Sequence, residues 1–103
     1  MPIFIKKEKF KDKTLELSNI ERKKFLLMHK EWVKDITKLG HYIHSGYLIN
    51  EKKMPGGGGL LILEAKDYLT AKKIIENDPM IKNNLVIWDL HEWISINGSQ
   101  PKF

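Results

Sequence analysis

SNIERKKFLLMHKEWVKDITKLG, residues 18–40, is the stretch that decides the fold. It opens on Ser18 with Glu21 three residues later, the spacing of a capping box. In that motif the serine hydroxyl and the glutamate carboxylate satisfy backbone N–H groups that a helix start leaves open. Apolar residues then recur at helical intervals. At about 100° per residue, Phe25, Met28, Trp32, Val33, Ile36 and Leu39 gather on one side. Lys23, Lys30, Lys34 and Lys38 fall on the other. Gly40 closes the pattern, because glycine tolerates the left-handed conformation in which many helices stop. The stretch predicts an amphipathic helix lying on a sheet.

Working outward, Ile3, Phe4 and Ile5 predict a short opening strand after Pro2, and the charged run Lys6–Leu17 reads as a loop. Beyond Gly40, the span from His41 to Asn50 is rich in strand formers, with Gly46 inside it marking a bulge or a close backbone approach. Glu51–Gly59 is a turn-rich connection. Its glycine run, Gly56–Gly59, lacks the Gly-Lys-Ser/Thr of a phosphate loop and precedes a strand instead of a helix, so it reads as a flexible hairpin link able to act as a flap. Leu60–Leu63 predicts a central strand. Asp67 caps a second helix from Tyr68 to about Asn77, with Ala71, Ile74 and Ile75 inward and Pro79 as its stop. Residues 85–96 return to strand composition, and Asn97–Phe103 form a frayed tail.

The order strand, helix, strand, strand, helix, strand is the ferredoxin-like βαββαβ plan, an α+β fold with an antiparallel sheet and two helices on one face. Its 103 residues make one domain. The other sheet face is left open and calls for a partner. Trp88 and Trp93 lie on opposite faces of a regular last strand, so one of them is offered to a subunit interface. A homodimer with sheets packed face to face is expected.

Composition narrows the function classes. There is no cysteine, which excludes disulfides and thiolate metal sites. The net charge is +5, but the lysines, among them Lys6, Lys7, Lys52 and Lys72, are scattered among acids and read as a solvated surface instead of a nucleic-acid patch. The basic-Gly-aromatic signature of RNA-recognition sheets is missing. No run reaches the ~20 apolar residues that span a bilayer, and Met1–Lys7 is too short and too basic for a signal peptide. No membrane role is expected, and the protein reads as cytoplasmic.

His29 is the strongest chemical candidate. It lies four residues after Phe25, three before Trp32 and four before Val33, on the apolar face. Its ring points toward the sheet, either as a hydrogen-bonded core histidine or as an acid/base group working near neutrality. Asp78, in Asn77-Asp78-Pro79, is either a simple helix stop or a carboxylate that orients a nearby imidazole. His41 and His44 are three apart and face opposite ways on a strand; with no His-Glu-x-x-His pattern, no metal site is expected. No Ser-His-Asp arrangement built on a nucleophile elbow is visible.

Together these residues resemble the YciI-like (YCII-related) family of the dimeric α/β-barrel group, over nearly the whole chain. His29 matches the first-helix histidine, Arg22 an arginine two turns earlier, and Ala71 with Asp78-Pro79 the second-helix signature. Gly40, Ile43 and Gly46 match a Gly-x-Leu-Leu-x-x-Gly segment. The chain departs from the pattern at Leu26, where an arginine is common, and at Gly46-Tyr47, where Gly-Pro is usual. The resemblance implies a dimer formed through the sheets and a cleft with a His29–Asp78 pair. It also implies relatives that include muconolactone isomerases and a chloromuconolactone dehalogenase. The expected activity is then cofactor-independent isomerisation or elimination on a small cyclic or carboxylated metabolite. His29 and Asp78 would be catalytic, with Arg22, Ser45 and Gly46 lining the cleft. The alternative is a small-ligand-binding or assembly module without turnover.

Overall fold

A computed structural model describes residues 1–54 and 56–99. Four strands form one antiparallel sheet: β1 (Ile3–Phe10), β2 (Ile43–Tyr47), β3 (Gly59–Glu64) and β4 (Val86–Trp93), in the order β2-β3-β1-β4. That is the ferredoxin-like order, with the two crossovers carried by α2 (Asn19–Lys38) and α3 (Tyr68–Ile75). Two further single-turn helices, α1 (Asp12–Leu15) and α4 (Pro79–Lys82), sit at the loops before α2 and after α3. Among the described residues no helix is long and apolar enough to cross a membrane.

The helix boundaries follow from their caps. Ser18 Oγ accepts from the Glu21 N–H at 3.2 Å and donates to the Glu21 carboxylate at 3.0 Å. At the other end Gly40 takes φ +93°, while the Gly40 N–H bonds to the Thr37 carbonyl and the His41 N–H to the Ile36 carbonyl. This paired closure satisfies carbonyls that the helix end would otherwise strand. Asp67 caps α3 by accepting from the Thr70 N–H at 2.8 Å.

The core lies between the sheet's inner face and the helices. Phe4, Leu61, Leu63 and Leu90 come from the strands, Trp32 and Ile36 from α2, Ala71 and Ile75 from α3. The stripe of α2 is narrower than its periodicity suggests. Leu39 is exposed and Met28 lies at the flank, so the inward line runs through Phe25, His29, Trp32, Val33 and Ile36.

Three sequence expectations are corrected. The opening strand does not stop at Ile5: it runs to Phe10 and is followed by a helical turn, where a loop was expected. Its inward positions Phe4, Lys6 and Glu8 alternate with outward ones, but two of the three are charged, which hides the strand period. Lys6 is therefore no surface lysine; it is 1% exposed. Pro79, expected only to end a helix, also begins one, because its fixed φ and missing N–H suit the first helical position of α4. Of the expected tail, residues 97–99 are exposed and lie outside any element, and residues 100–103 lie outside the described residues.

Candidate active site

A chain of polar groups crosses the core between α2 and the sheet. His29, in the middle of α2, faces the sheet and lies between two partners. Its Nδ1 is 2.9 Å from Asp78 Oδ1, and its Nε2 is 2.9 Å from Ser45 Oγ. Ser45 reaches the ring because it pairs with Leu61, which puts its side chain on the inner face of edge strand β2. Asp78 is the N-cap of α4: its Oδ1 also accepts from the Met80 N–H at 3.0 Å. The Asp-Pro pair thus does two things at once. It starts a new turn of helix, and it aims a carboxylate at the imidazole.

The other oxygen of Asp78 is held from the sheet. Lys6 Nζ donates to Asp78 Oδ2 at 2.9 Å and also to Glu8 Oε1. Lys6, Glu8 and Asp78 are all buried, Asp78 completely. Burial alone pushes the Asp78 carboxyl upward. The hydrogen bond from His29 and the Lys6 ammonium outweigh it, so the group sits below the ordinary carboxylate range and is ionised at neutral pH. An ionised carboxylate only accepts hydrogen bonds, so the proton on a neutral His29 must be on Nδ1. Nε2 then carries the lone pair and accepts from the Ser45 hydroxyl. This tautomer follows from the partners' chemistry and leaves the basic nitrogen on the side of Ser45.

The glycine run has a role other than mobility. Glu8 pairs with Gly59, and a Cβ on Gly59 would lie 2.8 Å from Glu8 Cγ. Gly58 takes φ +77°, and a Cβ there would meet the Glu8 carbonyl oxygen at 2.0 Å. The run therefore makes room for the carboxylate that accompanies Lys6.

The remaining expected site residues fall as follows. Arg22 lies two turns before His29 on α2 and donates to the Leu15 carbonyl at the α1 end. Gly46 pairs with Leu60 and lies on the outer face of the sheet, opposite to Ser45, with open space where a Cβ would be. The close approach expected of it therefore does not serve the His29 side of its own chain. Lys6 and Glu8 were not foreseen. Opposite charges two apart on one strand, between Phe4 and Phe10, were the available sign, since i and i+2 share a face. Among the described residues, no three His, Asp or Glu side chains gather to hold a metal ion.

The His29 side chain is 15% exposed, so the site is nearly but not fully closed. Two shallow hollows lie elsewhere. One runs beside α2 and α4, lined by Leu27, Met28, Glu31, Trp32, Asp35 and Pro79. The other lies on the outer sheet face among Ile5, Lys7, His91, Glu92 and Trp93.

Fold and site together define a small α+β domain of ferredoxin-like topology, with an ionised carboxylate seated behind a helix histidine. The chain matches no family model and no curated protein sequence. Among solved structures it is similar to 5-chloro-2-hydroxyhydroquinone dehydrochlorinase (TftG) from Burkholderia phenoliruptrix AC1100, in complex with 2,5-dihydroxybenzoquinone. The TM-score is 0.66 and the identity 21%, over 89% of this chain and 93% of that one. At that identity the likeness establishes the fold alone.

Proposed function

We propose that this protein is a cofactor-independent acid/base enzyme of the isomerase or lyase type, acting on a small cyclic or carboxylated metabolite. The observation that carries the reading is the 2.9 Å contact between His29 Nδ1 and a completely buried, ionised Asp78. Asp78 holds the tautomer with Nε2 as the base and stabilises the imidazolium that forms once a proton is taken. Lys6 holds the second carboxylate oxygen, so Asp78 cannot swing away. An isomerisation or elimination needs little more than this, a base that takes a proton from carbon and returns it or lets a leaving group depart. The structural neighbour, a dehydrochlorinase solved with a small cyclic quinone, supports that substrate class. Arg22, on the same helix, is the group proposed to meet a substrate carboxylate. A homodimer through the outer sheet face, in the cytoplasm, belongs to the same reading.

A panel of small cyclic and carboxylated metabolites, screened by thermal shift on wild type and His29→Ala, identifies the ligand. The hit is then assayed for turnover. His29→Ala should lower the rate by about 10²-fold or more while far-UV circular dichroism stays unchanged. A variant that turns over as fast as wild type rules out His29 as the base.

A second reading, a binding or assembly module without turnover, draws on the position of the hollows, neither of which is lined by His29. It predicts a ligand bound with no product formed and little penalty from His29→Gln.

A further inference from the structure

The hydroxyl that fills the third place in the polar chain belongs to a nucleophilic residue type. Ser45 Oγ donates to His29 Nε2 at 2.9 Å, and His29 Nδ1 donates to Asp78 at 2.9 Å. These are the two contacts that let a serine act as a nucleophile: a base within reach of its proton, and an orienting carboxylate behind the base. The sequence hides the arrangement because Ser45 sits in the middle of a strand, where no strand-turn-helix elbow announces it. All three groups are held by regular structure, on a strand, in a 20-residue helix and at a helix cap.

A donor for the developing oxyanion is also present. The Glu64 N–H bonds to the Tyr42 carbonyl and the Leu48 N–H to the Gly58 carbonyl. The even-numbered residues of β2 are thus the ones bonded to β3, and the alternation of an antiparallel ladder turns the Ser45 N–H toward the open edge. Among the described residues no strand lies beyond that edge. The amide of a nucleophilic serine is a common oxyanion donor, and this one is directed away from the sheet beside its own Oγ.

From this geometry we infer that Ser45 is a nucleophile and that the site transfers acyl groups from small esters. The inference shares the His29–Asp78 pair with the proposed function and adds a second chemistry to it. Ser45 Oγ attacks the ester carbonyl and forms the C–O bond while its proton passes to His29 Nε2. The tetrahedral intermediate collapses, the ester C–O bond breaks, and His29 returns the proton to the departing alcohol. Water then attacks the acyl-serine, giving its proton to His29, which passes it back to Ser45 Oγ as the carboxylic acid leaves. The near-closed site restricts the acyl group to a small one such as acetyl. The single backbone donor makes the reaction slow, since removing one oxyanion donor from a complete hole costs about 10²–10³ in rate.

The test uses a fluorophosphonate probe on the wild-type protein, read by intact mass and peptide mapping, with a serine esterase in the same tube as control. The expected result is one phosphonyl group on Ser45 with loss of fluoride, and labelling at least ~10²-fold slower in His29→Gln, whose fold is checked by circular dichroism. A p-nitrophenyl acetate burst matching one acyl group per chain is expected alongside, and should be absent in Ser45→Ala. An unlabelled Ser45 beside a fully labelled control overturns the inference, as does labelling at equal rates in wild type and His29→Gln. The adduct is read without any metabolite. Labelling with no metabolite turnover therefore removes only the isomerase or lyase reading, and turnover with no labelling removes only this one.

Discussion

At the scale of single residues, the molecule depends on an odd distribution of buried charge. Lys6 is an ammonium in the core with a carboxylate on each side, Glu8 from its own strand and Asp78 from the α4 cap. Taking charges out of water costs several kcal/mol per ion, and only close pairing offsets it. Removing the central cation would leave two buried anions facing each other. Lys6→Met is therefore expected to destabilise by about 3–5 kcal/mol, the usual loss when one partner of a buried pair is deleted. Urea denaturation measures it, and a loss under about 1 kcal/mol would mean that the network opens to water. Asp78 adds a dependence on pH. Its folded pKa lies below the ordinary value of 3.8, so the folded state binds fewer protons than the unfolded chain as the pH falls past that value. Its stabilisation is complete above the unfolded value and drains away as the pH falls through the folded one. The wild-type urea midpoint should drop on acidification from pH 5 toward pH 2, and Asp78→Asn should show a shallower drop from a lower start. Parallel curves for the two proteins would remove Asp78 as a source of the acid limb.

Among the elements, legibility tracked how local the stabilising contacts are. The long helix could be read to within a residue at both ends, because Ser18, Glu21 and Gly40 act on their own neighbours. His29 could be picked out by its place on an apolar face, whereas Asp-Pro by itself marks Asp78 equally as a helix stop, and only the family resemblance paired the two. The second half of the first strand could not. Lys6 and Glu8 are inward only because partners remote in sequence, Asp78 and Gly59, accept them there. Ser45 was expected in the cleft, but its bond to His29 depends on the register of β2 against β3, which no local pattern encodes. The glycine run reads locally only as a flexible link, since the space it clears belongs to a distant strand. This predicts a contrast between neighbours. Gly58→Ala forces a left-handed alanine into the Glu8 carbonyl and should cost about 2 kcal/mol or more. Gly56→Ala meets only Asn50 Nδ2 at 3.6 Å, an ordinary contact, and should cost much less. Equal urea midpoints for the two variants would return the run to the status of a plain linker.

For the whole molecule, the decisive feature is the face left without helices. The principal extents of 40 × 32 × 20 Å describe a slab about as thick as one sheet and one helix layer. The outer face of that slab carries Ile3, Ile5, Leu60, Ile62, Ile87 and Trp93, the residues between those that point into the core. Trp88 packs on the core side and Trp93 on the outer one, in the division the strand period requires. Ile87 is 66% and Trp93 43% exposed, a large apolar area for one chain to leave in water. Lys7 and Asp89 face each other across β1 and β4 amid this surface, so it also carries charges that can set the angle of a partner. A second copy supplies the same composition by symmetry. Wild-type protein is therefore expected to run in light scattering at twice the 12.1 kDa chain mass. Ile5→Glu, in the central strand opposite Ile62 and His91, should convert it to a single chain without loss of the circular dichroism signal, because the substitution faces away from the core. If wild type already runs as a single chain at the concentrations of the assay, the outer face is not a self-association surface, and its apolar residues need a partner of another kind.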